Sequence, residues 1–300
     1  MAVPESAAAT APVPVTGRSL WQDTWRALRR NRATLASVCI LAFMTLLVIV
    51  GPWLTPYTYA QTDWENISIG PDLASGHVFG TDALGRDLFV RTMQGGRISL
   101  MIGVVATLVS LLIGVTWGAL AGYLGGRVDH VMMRIVDILY AMPFMFFVIL
   151  LMVFFGRNIL LIFVAIGAIN WLDMARIVRG QTLSLKHKEF VEAAEAQGVR
   201  TLAIIRRHIV PNLLGVVVVY VTLTIPQVIL VESFLSFLGL GVQEPMTSWG
   251  ALVNEGAQEM ETAPWMLVFP AVFLATTLFC FNFVGDGLRD ALDPRDRKGR

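Results

Sequence analysis

Long apolar runs alternate with short polar stretches along this chain, and one polar stretch differs in kind from the others. The runs 34–54, 100–123 and 131–155 each reach about 20 residues or more, the length a helix needs to cross a bilayer. The stretch 159–171 is shorter and continues as an amphipathic helix through Asp173, Arg176 and Arg179. Two further runs, 212–231 and 264–284, contain Pro226 and Pro270. The pattern predicts an all-α polytopic membrane protein with six transmembrane helices. In the third run Pro143 predicts a kink, and Arg134 and Asp137 are three apart and able to pair. The first run is longer than the apolar core of a signal peptide and starts far from the N-terminus, so it reads as an uncleaved span.

The polar stretch 189–211, EFVEAAEAQGVRTLAIIRRHIVP, predicts two short helices joined at a glycine. Ser184 is a candidate N-cap, and Phe190, Val191 and Ala194 make an apolar stripe beside Glu192 and Glu195. Gly198 supplies a left-handed C-cap. Thr201 is positioned to cap a second helix with Leu202, Ile205 and Ile209 on one face, which Pro211 ends. The result is a helix-turn-helix knob. Its Glu-Ala-Ala and following glycine also suit the turn of a DNA-reading helix pair, but a DNA reader has no reason to lie between two membrane spans.

Charge fixes an orientation. All but four of the 23 Lys and Arg fall in segments that share a side if the N-terminus is cytoplasmic. The four on the other side are Arg86, Arg91, Arg97 and Arg157. This is the positive-inside bias, and it places the knob in the cytoplasm. The domains follow: 1–33 a cytoplasmic tail and amphipathic segment with Arg26, Arg29, Arg30 and Arg32; 34–54 the first span; 55–99 an external loop; 100–288 a core with five spans and the knob loop at about 176–211; 289–300 a cytoplasmic tail. Residues 1–17 carry too few large apolar groups to fold. Composition agrees, with 55% hydrophobic and 15% charged residues. The last figure is well below the roughly 25% of soluble domains.

Glu192, Ala193, Ala194, Gly198, Ile209 and Pro211 together resemble the cytoplasmic loop of the integral-membrane permeases of binding-protein-dependent ABC importers. The segments LDMARIVRGQTLSLK and FNFVGDGLRDALDPRD extend the resemblance from about residue 19 to 297, nearest to the C-type permease of bacterial oligopeptide importers. It implies a type I importer permease architecture whose coupling helix docks on an ATPase subunit through Glu192, Ala193, Ala194 and Gly198. Arg206, Arg207 and Pro211 would flank that surface. It also implies a second homologous permease subunit, two ATP-binding subunits carrying ATP and Mg, an extracytoplasmic peptide-binding protein, and import of oligopeptides, with dipeptides, nickel or another small solute as alternatives. Pro143, Pro226 and Pro270 are candidate places for bending. The outer stretch 232–263, with no Lys or Arg, reads as either a partly embedded cap or a plain interfacial loop. The resemblance favours the cap, with Gln243 and Trp249 as candidate contacts to the binding protein.

Other chemistries lack apparatus. No lysine follows a glycine, so no P-loop is present and energy must come from a partner or an ion gradient. Ion-coupled carriers use ionisable groups within the span cores, and Arg134, Asp137, Asp173 and Glu232 are all expected near span ends. His77, His130, His187 and His208 show no metal-ligand spacing. Asp82 and Asp87 read as a structural turn instead of a calcium loop. Ser233 and Ser236 are expected in a loop with no histidine beside them. Cys39 and Cys280 sit in apolar runs as small hydrophobes. No catalytic residue, bound cofactor or metal is expected in this chain, and no nucleic-acid partner.

Overall fold

The computed structural model describes residues 28–29, 31–156 and 159–292. Arg26 and Arg30 of the amphipathic segment, Arg157, and the tail beyond Leu292 lie outside them. Regular structure among the described residues is helical. Helix α1, Arg32–Val50, starts where the Asn31 side chain accepts from the amides of Ala33 and Thr34 at 3.1 and 3.3 Å. It ends in a 3-10 turn, Gly51–Trp53. The Arg97 guanidinium takes up the orphan carbonyls there, donating to Val48 at 2.9 Å and also to Ile49. Those carbonyls carry the negative end of the helix dipole, so a cation fits.

Helix α2, Leu88–Leu124, has 37 residues and spans roughly 55 Å at 1.5 Å per residue. Its first turns are the polar stretch 88–99, read from sequence as the end of a connection. They are helical because Asp87 caps Val90 at 2.8 Å and the polar side chains find partners on distant elements.

The expected third span is sharply broken. Helix α3, Gly126–Ala141, and helix α4, Phe144–Phe155, meet at Met142 and Pro143, and their axes bend by 82°. Proline has no amide hydrogen to carry the ladder across this point. Asp137 pairs with Arg176 at 2.9 Å, not with Arg134 as its spacing suggested. Helix α5, Ile159–Lys186, continues through its polar half as expected.

Helices α2 and α5 pack along Gly114, Gly118 and Gly122, four residues apart. A Cβ on Gly118 would lie 2.4 Å from the Ala175 carbonyl, and one on Gly122 2.8 Å from that of Arg179. Small residues at this spacing let backbones touch in a membrane. At the end of the contact Arg179 grips Asp129 of α3 with two hydrogen bonds, 2.5 and 2.6 Å.

The remaining elements are α6, Glu189–Ala196; α7, Thr201–Ile204; a π turn, Ile205–Ile209; α8, Val210–Phe237; α9, Trp249–Gln258; and α10, Trp265–Leu292. Among the described residues, four helical stretches are long and apolar enough to cross a membrane, five if the bent pair counts as one. Only the first half of α5 is apolar, so it falls outside that number. Gly287 of α10 seats Thr34 of α1, closing the bundle. The knob of α6 and α7 lies at one end, and the 55–87 connection and α9 at the other.

Candidate functional site

The knob is built as a lever. After α5 the chain turns at His187 and Lys188, and the Lys188 carbonyl accepts from Val191 and Glu192 to start α6. Ser184 is still inside α5, so it is not the cap. Glu189 and Glu192 fall in the first turn, where the helix dipole favours carboxylates. A Schellman motif closes α6: Val199 N donates to the Ala194 carbonyl at 3.1 Å and Gly198 N to that of Glu195 at 2.9 Å. It requires positive φ at Gly198, which has +73°. A Cβ there would meet nothing within 4 Å. Conformation, not space, therefore demands glycine.

Arg200, extended, stands before α7, and Thr201 is already its first residue and caps nothing. Pro211 does not end this helix. The π turn Ile205–Ile209 widens the ladder, Val210 N reaches the Ile205 carbonyl, and α8 runs on with Pro211 in its first turn, where a missing amide hydrogen is tolerated. Thr201–Phe237 is thus one long, apolar helical stretch. Val191, Ala194, Ile204, Ile205 and Ile209 of the knob are buried with Val115, Ala119 and Tyr123 of α2 and Met174 and Val178 of α5. The Tyr123 hydroxyl donates to Glu195 at 2.7 Å, and Lys186 Nζ donates to the Tyr123 carbonyl at 2.8 Å.

Of the residues assigned to docking, Glu192, Ala193, Gly198, Arg206, Arg207 and Pro211 are exposed. Ala194 is buried and serves the knob's own core. Two exposed apolar side chains were misplaced by the sequence reading: Phe190, 41% exposed, and Leu202, 70% exposed. On the 3.6-residue period Phe190 lies about 100° from Val191 but only about 40° from Ala194, at the margin of the buried line, so spacing alone leaves its exposure open. The Phe190 ring lies 6.4 Å from that of His208, across the two helices.

The opposite end is held by charge. Asp82 accepts from the amides of Leu84 and Arg86, from Arg86 Nε at 2.6 Å and from Arg91 Nη1 at 2.5 Å. Arg91 also reaches Glu255 of α9 at 2.9 Å, and Arg86 reaches Glu244 at 2.8 Å. Asp87 lies 2.8 Å from His77. These carboxylates hold turns and helix starts, and no group of three metal-ligating side chains occurs among the described residues. Burial pushes the Glu255 carboxyl above its ordinary range, with Arg91 and Arg86 opposing the shift.

Gln243 is exposed, but Trp249 is fully buried. Ser248 caps α9 and turns Trp249 onto α2, where its indole N–H donates to Thr92 at 2.9 Å and its ring fills the space that a Cβ on Gly96 would take. It cannot touch a binding protein. Glu232, Ser233 and Ser236, expected in a loop or at a span end, belong to α8. Glu232 is fully buried and accepts from Ser99 at 3.0 Å and Ser236 at 2.7 Å.

Long apolar helices, a broken span and a helix pair projecting from one end define a multi-pass membrane protein. Residues 114–298 match the family model for the binding-protein-dependent transport system inner membrane component, and residues 19–71 match that for the N-terminal transmembrane domain of oligopeptide transport permease C. The chain belongs to the binding-protein-dependent transport system inner membrane component family. It is 61% identical to the oligopeptide transport system permease protein OppC of Haemophilus influenzae, over 94% of this chain and 90% of that one. It is 64% identical to OppC of Escherichia coli K12, over 94% of each. A solved chain of the MetNI methionine ABC transporter, inward facing, superposes with a TM-score of 0.56 at 19% identity, covering 69% of this chain and 96% of that one. That likeness bears on the fold alone.

Proposed function

We infer that this chain is one of two homologous permease subunits of an ATP-driven oligopeptide importer in the bacterial inner membrane, with both termini and the knob cytoplasmic. The observation that carries the coupling role is the knob itself. Its inner face is welded to α2, α5 and α8, while Phe190, Glu192, Ala193, Leu202, Arg206 and Arg207 stand free. An ATPase subunit gripping that face would move the spans as a lever, with ATP and Mg bound in the ATPase. Two ATPase subunits and an extracytoplasmic peptide-binding protein complete the importer. The oligopeptide solute rests on the names of the relatives at 61–64% identity. The six crossings are α1, α2, the broken α3–α4 pair, α5, α8 and α10, with Pro143, Pro226 and Pro270 as bending points. Gln243 and its loop stand on the outer face as part of a cap towards the binding protein.

The test is co-purification of the full importer with Glu192→Lys in this chain. Glu192 is exposed, so the variant should reach the membrane in normal amount yet lose most of its bound ATPase and its peptide-stimulated hydrolysis. Unchanged ATPase recovery and hydrolysis would sink the docking assignment.

A further inference from the structure

A cavity of about 440 Å³ opens where the bent pair α3–α4 faces α5. This is a ligand-sized space. Tyr140, Met142, Phe147, Ile169 and Trp171 line it with apolar and aromatic surface, and Asp173 is the one charged group among the described residues that line it. Asp173 is 13 residues before Lys186 and Tyr140 14 after Gly126, so both lie about 20 Å from the knob end at 1.5 Å per residue. That is the level at which α5 passes from its apolar to its polar half, beside the exposed Arg176–Asp137 pair. Broken helices that line a cavity are where transporters hold solute.

The arrangement leaves the Asp173 carboxylate available. It accepts no hydrogen bond among the described residues, and Arg176, near enough to act on it electrostatically, is turned away. The Arg176 guanidinium stacks 4.1 Å over the Tyr140 ring and bonds Asp137 at 2.9 Å. Trp171 is fixed from behind, its ring 5.3 Å from that of Trp117. A half-buried carboxylate beside aromatic faces suits an organic ammonium, through charge and cation–π attraction together. A metal ion would need more ligands, and the described residues offer no such group.

We propose that Asp173, with Tyr140 and Trp171, forms a subsite in the translocation path for the ammonium group of a passing peptide, its amino terminus. This rests on the import reading above and deepens it. The selection is of charge and not of sequence: one carboxylate accepts the group that peptides of any sequence share, and the apolar walls accept the neighbouring side chain.

The experiment uses the complete importer in phospholipid vesicles, with Met142→Cys as a reporter in a Cys39→Ser, Cys280→Ala background. Labelling of the reporter by a neutral maleimide should slow about tenfold or more, the order of one charge-assisted contact, when a free-amine tripeptide is added. The N-acetylated tripeptide should leave it unchanged. Asp173→Asn should abolish the protection and Asp173→Glu restore it. Equal protection by the two peptides, or protection that survives Asp173→Asn, would overturn the subsite. So would protection that appears only in vesicles containing phosphatidylethanolamine, since the ammonium would then be a lipid's. Peptide uptake by the wild type is read in the same vesicles. Uptake without amine-selective protection defeats the subsite alone, and amine-selective protection without uptake defeats the import reading alone.

Discussion

At the loop end Asp82 takes hydrogen bonds from two backbone amides and two arginines, and Arg91 passes the contact on to Glu255 of α9. At the knob end the corresponding rigidity comes from Val191, Ala194, Ile204, Ile205 and Ile209 packed on α2 and α5, with two polar ties through Tyr123. A buried charge network holds one geometry and fails when a member is lost, because its partners stay charged and dry. An apolar contact loses free energy in proportion to the area uncovered and can slide or repack. The contrast suits a fixed frame on one side of a gate and a lever on the other.

The sharpest way to break the contrast is Asp82→Ala. It strands two amides and takes from two buried guanidiniums the carboxylate they share, leaving them only the more exposed Glu244 and Glu255, so the expected loss is about 3 kcal/mol, the low end of the range for removing one member of a buried ion pair. Thermal unfolding of the detergent-solubilised complex would read it, and a change below about 1 kcal/mol would mean that water already screens the network. The next effect belongs to the knob. Gly198→Val forces a β-branched residue into left-handed backbone, costing about 1–2 kcal/mol, with no clash to add because the space is open. Gly198→Asn, which tolerates that conformation, should retain most of the stability and of the ATPase docking. If Asn behaved as badly as Val, the surface around Gly198 would be the cause, not its φ.

These outcomes probe features of unequal visibility in the sequence. The apolar runs announced α1, α8 and α10, and Gly198 announced the turn of the knob, because each depends on residues close together in the chain. Pro211 misled because a π turn five residues long moved the break that proline imposes into a place where it costs little. Trp249 looked like an outer-face anchor, and its burial depends on Gly96 in another helix. The same holds for the helical start of α2, whose Arg91 needs a carboxylate 164 residues away, and for Asp137, which had two arginines in reach and took the more distant in sequence. Local spacing shows which partners are possible. Only the packed bundle decides among them.

A smaller effect tests the polar ties of the knob. Tyr123→Phe removes the hydroxyl that bonds Glu195 and leaves the ring in the core, so about 1 kcal/mol is at stake. Hydrogen exchange at the amides of α6 should rise modestly while those of α8 stay as they are. Equal exchange in both would show that the apolar contacts alone hold the lever.

The last and smallest concerns Glu255 and the response of the loop end to pH. Burial raises its carboxyl above 4.5, and Arg91 and Arg86 pull it back only in part, with Asp82 and Glu244 adding to the rise. A carboxyl raised in the folded state keeps a proton that the unfolded chain has released. Its contribution to stability is full below the unfolded pKa and is lost as pH climbs through the folded one. Glu255→Gln keeps the shape and removes the titration. The wild type should therefore lose stability relative to the variant as pH rises from about 4.5, and the difference should level off once the carboxyl is ionised in both states. A difference that stays flat across the window would mean that the arginines keep Glu255 ionised in the fold. The loop end would then be a frame of permanent charges, indifferent to pH in the range where its carboxylates titrate.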